Sequence, residues 1–165
     1  MLSEKEFLSA VSVHQNLIHK VCNLYAGSHH DREDLFQEIL LNAWKGVSNF
    51  RGEAKFTTWL YRVALNTAIT FFRKESKQPE TKLVTGTIGA IADSQYQQDE
   101  QLSAVYMAIS KLSGVDKALV MLYLDDYNYN DIGEILGISA NNVAVKMNRI
   151  KTKLKEESKK YYQPV

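Results

Sequence analysis

The chain has 165 residues, enough for one ordinary domain or two small ones. Its 20 Lys and Arg against 19 Asp and Glu leave a net charge of +1, which excludes a uniformly basic protein that would hold nucleic acid by bulk charge. The single cysteine, Cys22, excludes an intrachain disulfide and a multi-cysteine zinc site, and it reads as a buried thiol in an apolar helical setting.

The N-terminal stretch MLSEKEFLSA lacks a basic region followed by an apolar run, and no segment approaches 18 uninterrupted apolar residues. The expectation is a cytoplasmic protein with no membrane insertion. Charge is distributed unevenly: residues 77–129 carry four basic and seven acidic side chains, whereas residues 130–165 carry seven and four. Local contact surfaces follow from that pattern.

Ser3 and Glu6 have capping-box spacing, and Phe7, Val11, His14, Ile18, Val21 and Tyr25 recur every three or four residues. One helix is predicted from about Glu4 to Tyr25, ended by Gly27. Asp31 and Asp34 are placed to cap a second helix running to about Val47, with Leu35, Ile39, Leu40, Ala43 and Trp44 on its buried side and Gly46 loosening its last turn. After a loop over Ser48 to Lys55, a third helix is predicted over Phe56 to Lys74, striped by Leu60, Ala64, Ala68 and Phe71.

Glu75 to Gln98 contains Pro79, Gly86 and Gly89 among many Thr, Ser and Gln residues without sustained periodicity, and reads as a linker. Its Leu83, Val84, Ile88 and Ile91 offer weak docking points. Beyond it, Leu102, Val105, Ile109 and Leu112 mark a helix broken at Gly114, and Asp116 to Asp125 marks another with Leu119, Val120 and Tyr123 for packing. A short helix over Asp131 to Leu136, anchored by Ile132, Ile135 and Leu136, precedes a last helix striped by Val143, Met147, Ile150 and Leu154. The fold class is therefore all-α, as two small helical domains joined by a linker. The boundaries are 1–76, 77–98 for the linker, and 99–160.

Two signatures carry chemistry. In DREDLFQEILLNAWKG, Asp34 and Glu38 lie one helical turn apart and present acceptors to a basic partner while Leu35 and Ile39 face inward. This runs into FRGEAKFTTWLYRVALN, where Lys55, Arg62 and Asn66 fall near one face, Arg73 and Lys74 extend a basic path, and aromatics are interleaved. Trp59 is placed either to stack on a base or to be partly buried beside Leu60 and Val63; Phe71 and Phe72 read as structural.

Near the C-terminus, DIGEILGISANNVAVKMNRIKTKLK has the form of a helix-turn-helix, with Gly137 at the turn and Ser139 as the N-cap of the second helix. With the apolar stripe inward, Asn141, Asn142, Lys146 and Arg149 lie toward a groove-facing surface, and Val145 is suited to a thymine methyl group. Lys151, Lys153, Lys155, Lys159 and Lys160 serve either DNA or solubility. Gly133 inside the first of these helices is expected to lower local helix stability.

On these residues the chain resembles the extracytoplasmic-function group of sigma-70 family RNA polymerase sigma factors. Residues 7–74 are similar to their promoter-melting domain and residues 99–157 to their C-terminal promoter-binding domain. The resemblance implies a non-catalytic initiation factor that binds core RNA polymerase and directs promoter recognition and melting. It assigns Asp34, Gln37, Glu38 and Asn42 to the polymerase surface. Phe50, Arg51, Lys55, Trp59, Arg62, Asn66, Arg73 and Lys74 fall to the melted promoter element, and Asn141, Asn142, Val145, Lys146 and Arg149 to the upstream duplex element. It further implies an anti-sigma partner. A monomer when free, with no cofactor and no metal, is expected. Ala144, Val145 and Gly133 depart from the commonest family pattern.

The alternative is a free-standing helix-turn-helix repressor, which would ordinarily need two symmetric recognition helices, and no segment reads as a dimerisation helix. An enzyme of nucleic-acid metabolism is more distant. His14, His19, His29 and His30 lack zinc-hydrolase spacing, and no carboxylate pattern singles out a two-metal centre.

Overall fold

A computed structural model describes residues 2–76, 104 and 107–161, all helix, turn or loop, with no strand among them. The chain separates into two compact units, Met1–Lys82 and Leu83–Val165. The predicted linker segment from residue 77 to 98, with its Leu83, Val84, Ile88 and Ile91, lies outside the described residues, as do Leu102 and Val105.

In the first unit the capping box forms as its spacing requires: the Ser3 hydroxyl accepts from the Glu6 amide at 3.2 Å and the Ser3 amide donates to the Glu6 carboxylate at 2.9 Å. The single helix predicted beyond it is instead two, α1 (Glu4–Val13) and α2 (Gln15–Tyr25). At His14 the ladder tightens to three-residue bonds, His14 N–H to Val11 at 3.0 Å and Leu17 N–H to His14 at 3.1 Å. The break lets each half follow a different surface. Phe7 of α1 packs its ring 5.1 Å from that of Trp44, while Ile18, Val21, Cys22 and Tyr25 of α2 enter the core.

The next helix, α3 (His29–Gly46), begins two residues before Asp31 because Ser28, not an aspartate, is its cap; the Ser28 hydroxyl accepts from the Asp31 amide at 3.1 Å. Asp31 sits in the first turn, where its charge favours the helix N-terminus. Leu35, Ile39 and Ala43 are buried, but Leu40 is only half-buried and Trp44 keeps 42% of its surface open to solvent despite its contact with Phe7. A 3-10 turn (Val47–Asn49) follows Gly46, and α4 (Phe56–Ser76) buries Leu60, Ala64 and Ala68 as striped, together with Tyr61 and Leu65. Helices α2, α3 and α4 pack on one another around this core. Each large aliphatic side chain removed from water there contributes about 1.5–3 kcal/mol.

In the second unit residues 107–110 are helical, and Ile109 and Leu112 are buried. Helix α5 (Gly114–Leu124) starts at Ser113, whose hydroxyl accepts from the Asp116 amide at 3.3 Å, so Gly114 opens a helix rather than merely breaking one. Asp126 takes a left-handed backbone (φ 66°) just past its end. Helix α6 (Tyr129–Leu136) is capped by the Asn128 side-chain oxygen Oδ1, which accepts from the Asp131 amide at 2.8 Å, and α7 (Ala140–Tyr161) by Ser139, whose hydroxyl accepts from the Asn142 amide at 3.1 Å.

Ile132, Ile135, Val143, Met147 and Ile150 close the interface of α6 with α7, while Leu136 and Leu154 are half-buried at its edges. Lys117 of α5 is wholly buried, which the hydrophobic pattern did not anticipate. Burial drives its ammonium pKa down from 10.5 to about 8. Cys22 is buried as expected, and the same physics pushes its thiol up to about 12.

The connection between α6 and α7 gives Gly133 a second role beside its expected cost to the helix. Gly137 adopts φ +76°, and the Gly133 carbonyl accepts from the amides of both Gly137 (2.8 Å) and Ile138 (3.0 Å). That turn folds back so tightly that a Cβ on Gly133 would sit 2.5 Å from the Ile138 carbonyl oxygen. Glycine costs intrinsic helix propensity here, but it is what permits the close approach.

Candidate nucleic-acid and polymerase interfaces

On α3, burial of Leu35, Ile39 and Ala43 turns Asp34, Gln37 and Glu38 outward, and all three are exposed. Two histidines from the first turn join this face: His29 Nε2 lies 2.9 Å from Glu33 and His30 Nε2 lies 3.4 Å from Asp34. Both are four-residue neighbours, a spacing visible in the sequence but not used in reading it. Asn42 is different. It is half-buried, and its side-chain amide donates to Thr67 of α4 at 3.0 Å.

The loop after α3 is held at its base by rings. Phe50, Phe56 and Trp59 form a triangle with centroid separations of 5.8, 5.4 and 5.5 Å, and His14 lies 5.8 Å from Phe56. Phe50 and Trp59 are half-buried in this cluster, so each packs against its neighbours and keeps part of its ring open to solvent. Arg51, Gly52, Glu53 and Lys55 remain exposed above it, with Gly52 at φ +76° supplying a backbone that other residues rarely adopt.

Along α4, Arg62, Asn66 and Arg73 are exposed and fall at spacings of four and seven, on one side of the helix. Lys74 belongs to α4, and its side chain lies outside the described residues. Asn66 also lines a groove of about 560 Å³ with Glu38, Asn42, Val63, Thr67, Thr70 and Phe71. Two of the four residues assigned to polymerase, Glu38 and Asn42, and one assigned to DNA, Asn66, thus border the same concavity. Reading each helix alone could not bring them together.

In the helix-turn-helix, Val143, Met147 and Ile150 point inward and Asn141, Asn142, Val145 and Arg149 are exposed on the opposite side of α7; Lys146 is half-buried at the flank. Asn148 shares the exposed face, three residues beyond Val145, and was missed although its spacing marks it. Lys151 turns the other way, its Nζ 4.7 Å from the centre of the Tyr123 ring, and a hydrogen bond to Tyr123 raises its pKa. Lys160 pairs with Glu157 at 3.1 Å. These two lysines have partners within the chain.

Among the described residues no group of three or more His, Cys, Asp or Glu side chains is placed to hold a metal ion, and no helix is long and apolar enough to cross a membrane. His19 stacks on Phe36 at 4.7 Å.

The two units therefore form a pair of small helical modules, one with an acidic helix beside a basic and aromatic one, the other a helix-turn-helix. That combination defines a class of DNA-directed transcription factor. Residues 10–78 match the model of sigma-70 region 2, and residues 102–154 match that of sigma-70 region 4. The chain is 30% identical over 166 residues to the ECF RNA polymerase sigma factor SigW of Bacillus subtilis, covering 92% of this chain and 88% of SigW. It is 29% identical over 153 residues to the ECF RNA polymerase sigma-E factor of Haemophilus influenzae, covering 85% and 80%.

The fold is that of CnrH, solved in complex with the cytosolic domain of CnrY, at 19% identity and a TM-score of 0.66, covering 93% of this chain and 88% of CnrH. It is equally that of RpoE, solved with the anti-sigma factor NepR from Bartonella quintana, at 20% identity and a TM-score of 0.67, covering 94% and 98%. The chain belongs to the extracytoplasmic-function group of the sigma-70 family of RNA polymerase sigma factors. It directs RNA polymerase to promoters and is not itself an enzyme.

Proposed function

We propose that the three exposed faces divide the work of initiation. Asp34, Gln37 and Glu38 on α3 meet a basic surface of core RNA polymerase. The loop carrying Arg51 and Lys55, with Arg62, Asn66, Arg73 and Lys74 of α4, follows the backbone and unstacked bases of the melted promoter element. Asn141, Asn142, Val145, Lys146 and Arg149 of α7 read an upstream duplex element in the major groove. Phe50 and Trp59 hold the loop in place and offer ring edges to a base. Residues 1–76 and 99–160 act as the two modules, and the segment 77–98 joins them so that two individually weak DNA contacts reinforce each other.

The observation that carries this reading is the placement of Asp34, Gln37 and Glu38 outward on one helix, with Arg62, Asn66 and Arg73 aligned on the next. Asn42 enters as a residue that fixes α3 against α4, its amide being engaged by Thr67. CnrH and RpoE were each solved with a bound protein, in RpoE's case an anti-sigma factor, and this chain is proposed to be held by an anti-sigma partner in the same manner.

The test is a pair of measurements on Arg62→Ala with Asn66→Ala: affinity for core polymerase and the rate of open-complex formation on promoter DNA. Open-complex formation should fall by about tenfold or more while core affinity changes little, and the salt dependence of DNA binding should weaken with loss of a phosphate contact. Equal loss of both would give the groove beside Asn66 to polymerase instead.

A further inference from the structure

The exposed face of α7 is polar except at its middle. Asn141, Asn142, Asn148, Arg149 and Thr152 present amides, a guanidinium and a hydroxyl, and among them Val145 leaves 50% of its surface open to solvent. A lone exposed apolar side chain is ordinary on a protein surface. The position of this one makes the difference, because it stands one turn past Asn141 and one turn before Arg149, on the side opposite buried Val143, Met147 and Ile150. It is also in the N-terminal part of the helix that helix-turn-helix proteins set against base edges.

Among the base edges of the major groove, only thymine presents a methyl group; the other groups there are hydrogen-bond donors and acceptors. An isopropyl group pressed against an amino or carbonyl edge would strip its water and return no hydrogen bond. Against a thymine methyl, the same group buries apolar surface on both partners. We infer that Val145 selects a thymine in the upstream element, flanked by bases or phosphates that meet Asn141, Asn142 and Arg149. This deepens the assignment of α7 to the upstream duplex and rests on it.

Deoxyuridine differs from thymidine at this edge by the methyl alone. Upstream duplexes preferred by the full chain bound to core polymerase would be selected from a randomised pool, and each thymine then replaced singly by deoxyuridine. At one thymine the wild-type complex should lose about threefold to fivefold in affinity, the worth of one buried methyl. Val145→Ser should bind thymine and uracil there equally, and Val145→Ile should restore the preference. Both substitutions are at an exposed site, and circular dichroism checks that the helix is kept.

Uracil tolerated at every position, a selected element without thymine, or a methyl effect that survives in Val145→Ser would each overturn the inference. If Arg149→Ala still weakens upstream binding in those cases, the thymine contact alone is lost. If selection returns no upstream preference and Arg149→Ala has no effect, the assignment of α7 itself falls as well.

Discussion

The side-chain amide of Asn42 donates to the Thr67 hydroxyl at 3.0 Å, and that hydroxyl donates in turn to the Val63 carbonyl at 2.7 Å, so a two-bond chain ties α3 to α4. Thr67 is buried and Asn42 half-buried, which shields the link from water. Thr67→Val should cost about 1–2 kcal/mol by leaving the Asn42 amide without this acceptor, and Asn42→Ala a similar amount. In the double variant the two losses should add to less than their sum, by about 0.5–1 kcal/mol, as measured by urea unfolding. Strict additivity would mean that the pair does not couple the helices.

Charge reversal on the acidic face separates binding from folding. Asp34→Lys with Glu38→Lys should weaken core-polymerase affinity by about tenfold or more. Both side chains project into water, and the His30 contact to Asp34 is an exposed pair, so stability should change by less than about 1 kcal/mol. Fluorescence anisotropy with core polymerase and a parallel unfolding curve give the two numbers. Unchanged affinity would remove these carboxylates from the interface.

Gly133→Ala sets two effects against each other. Alanine recovers about 1 kcal/mol of helix propensity, but its methyl would meet the Ile138 carbonyl at 2.5 Å, and this contact is with backbone that cannot rotate away. Overpacking of this kind typically costs about 1–3 kcal/mol. The variant should therefore unfold at lower denaturant, and upstream-duplex binding should weaken as the turn that orients α7 shifts. A rise in stability would show that the turn relaxes freely.

Lys117 makes stability depend on alkaline pH. Its pKa is lowered on folding from 10.5 to about 8, so between those values the unfolded chain binds more protons and stability rises with pH. Below about pH 8 the full penalty applies, on the order of 3 kcal/mol for a shift of that size. Lys117→Met should thus be more stable than wild type at pH 7, with the advantage shrinking as pH climbs from 8 toward 10.5. Urea midpoints of the two proteins at pH 7 and pH 10 check this, and a constant difference would refute it.

What the sequence determined by itself is what short-range periodicity and capping can encode. The buried rows Leu35, Ile39, Ala43 and Val143, Met147, Ile150 follow from helical spacing, and the Ser3 and Ser139 caps from hydrogen bonds that reach only three residues. The outward placement of Asp34, Glu38, Arg62 and Arg149 is the complement of those rows. Ser28 was equally local, but Asp31 and Asp34 competed for the same role, and the hydrogen bond from the Asp31 backbone amide to the Ser28 hydroxyl decided it.

Tertiary structure alone decided the rest, because it brings together groups that the sequence keeps apart. Asn42 meets Thr67 across 25 positions, Phe7 meets Trp44, and His14 meets Phe56, contacts between residues that no short-range pattern pairs. Periodicity could not foresee a fully buried lysine at position 117 or a turn close enough to exclude a methyl group at Gly133, since both depend on how much space the neighbouring elements leave.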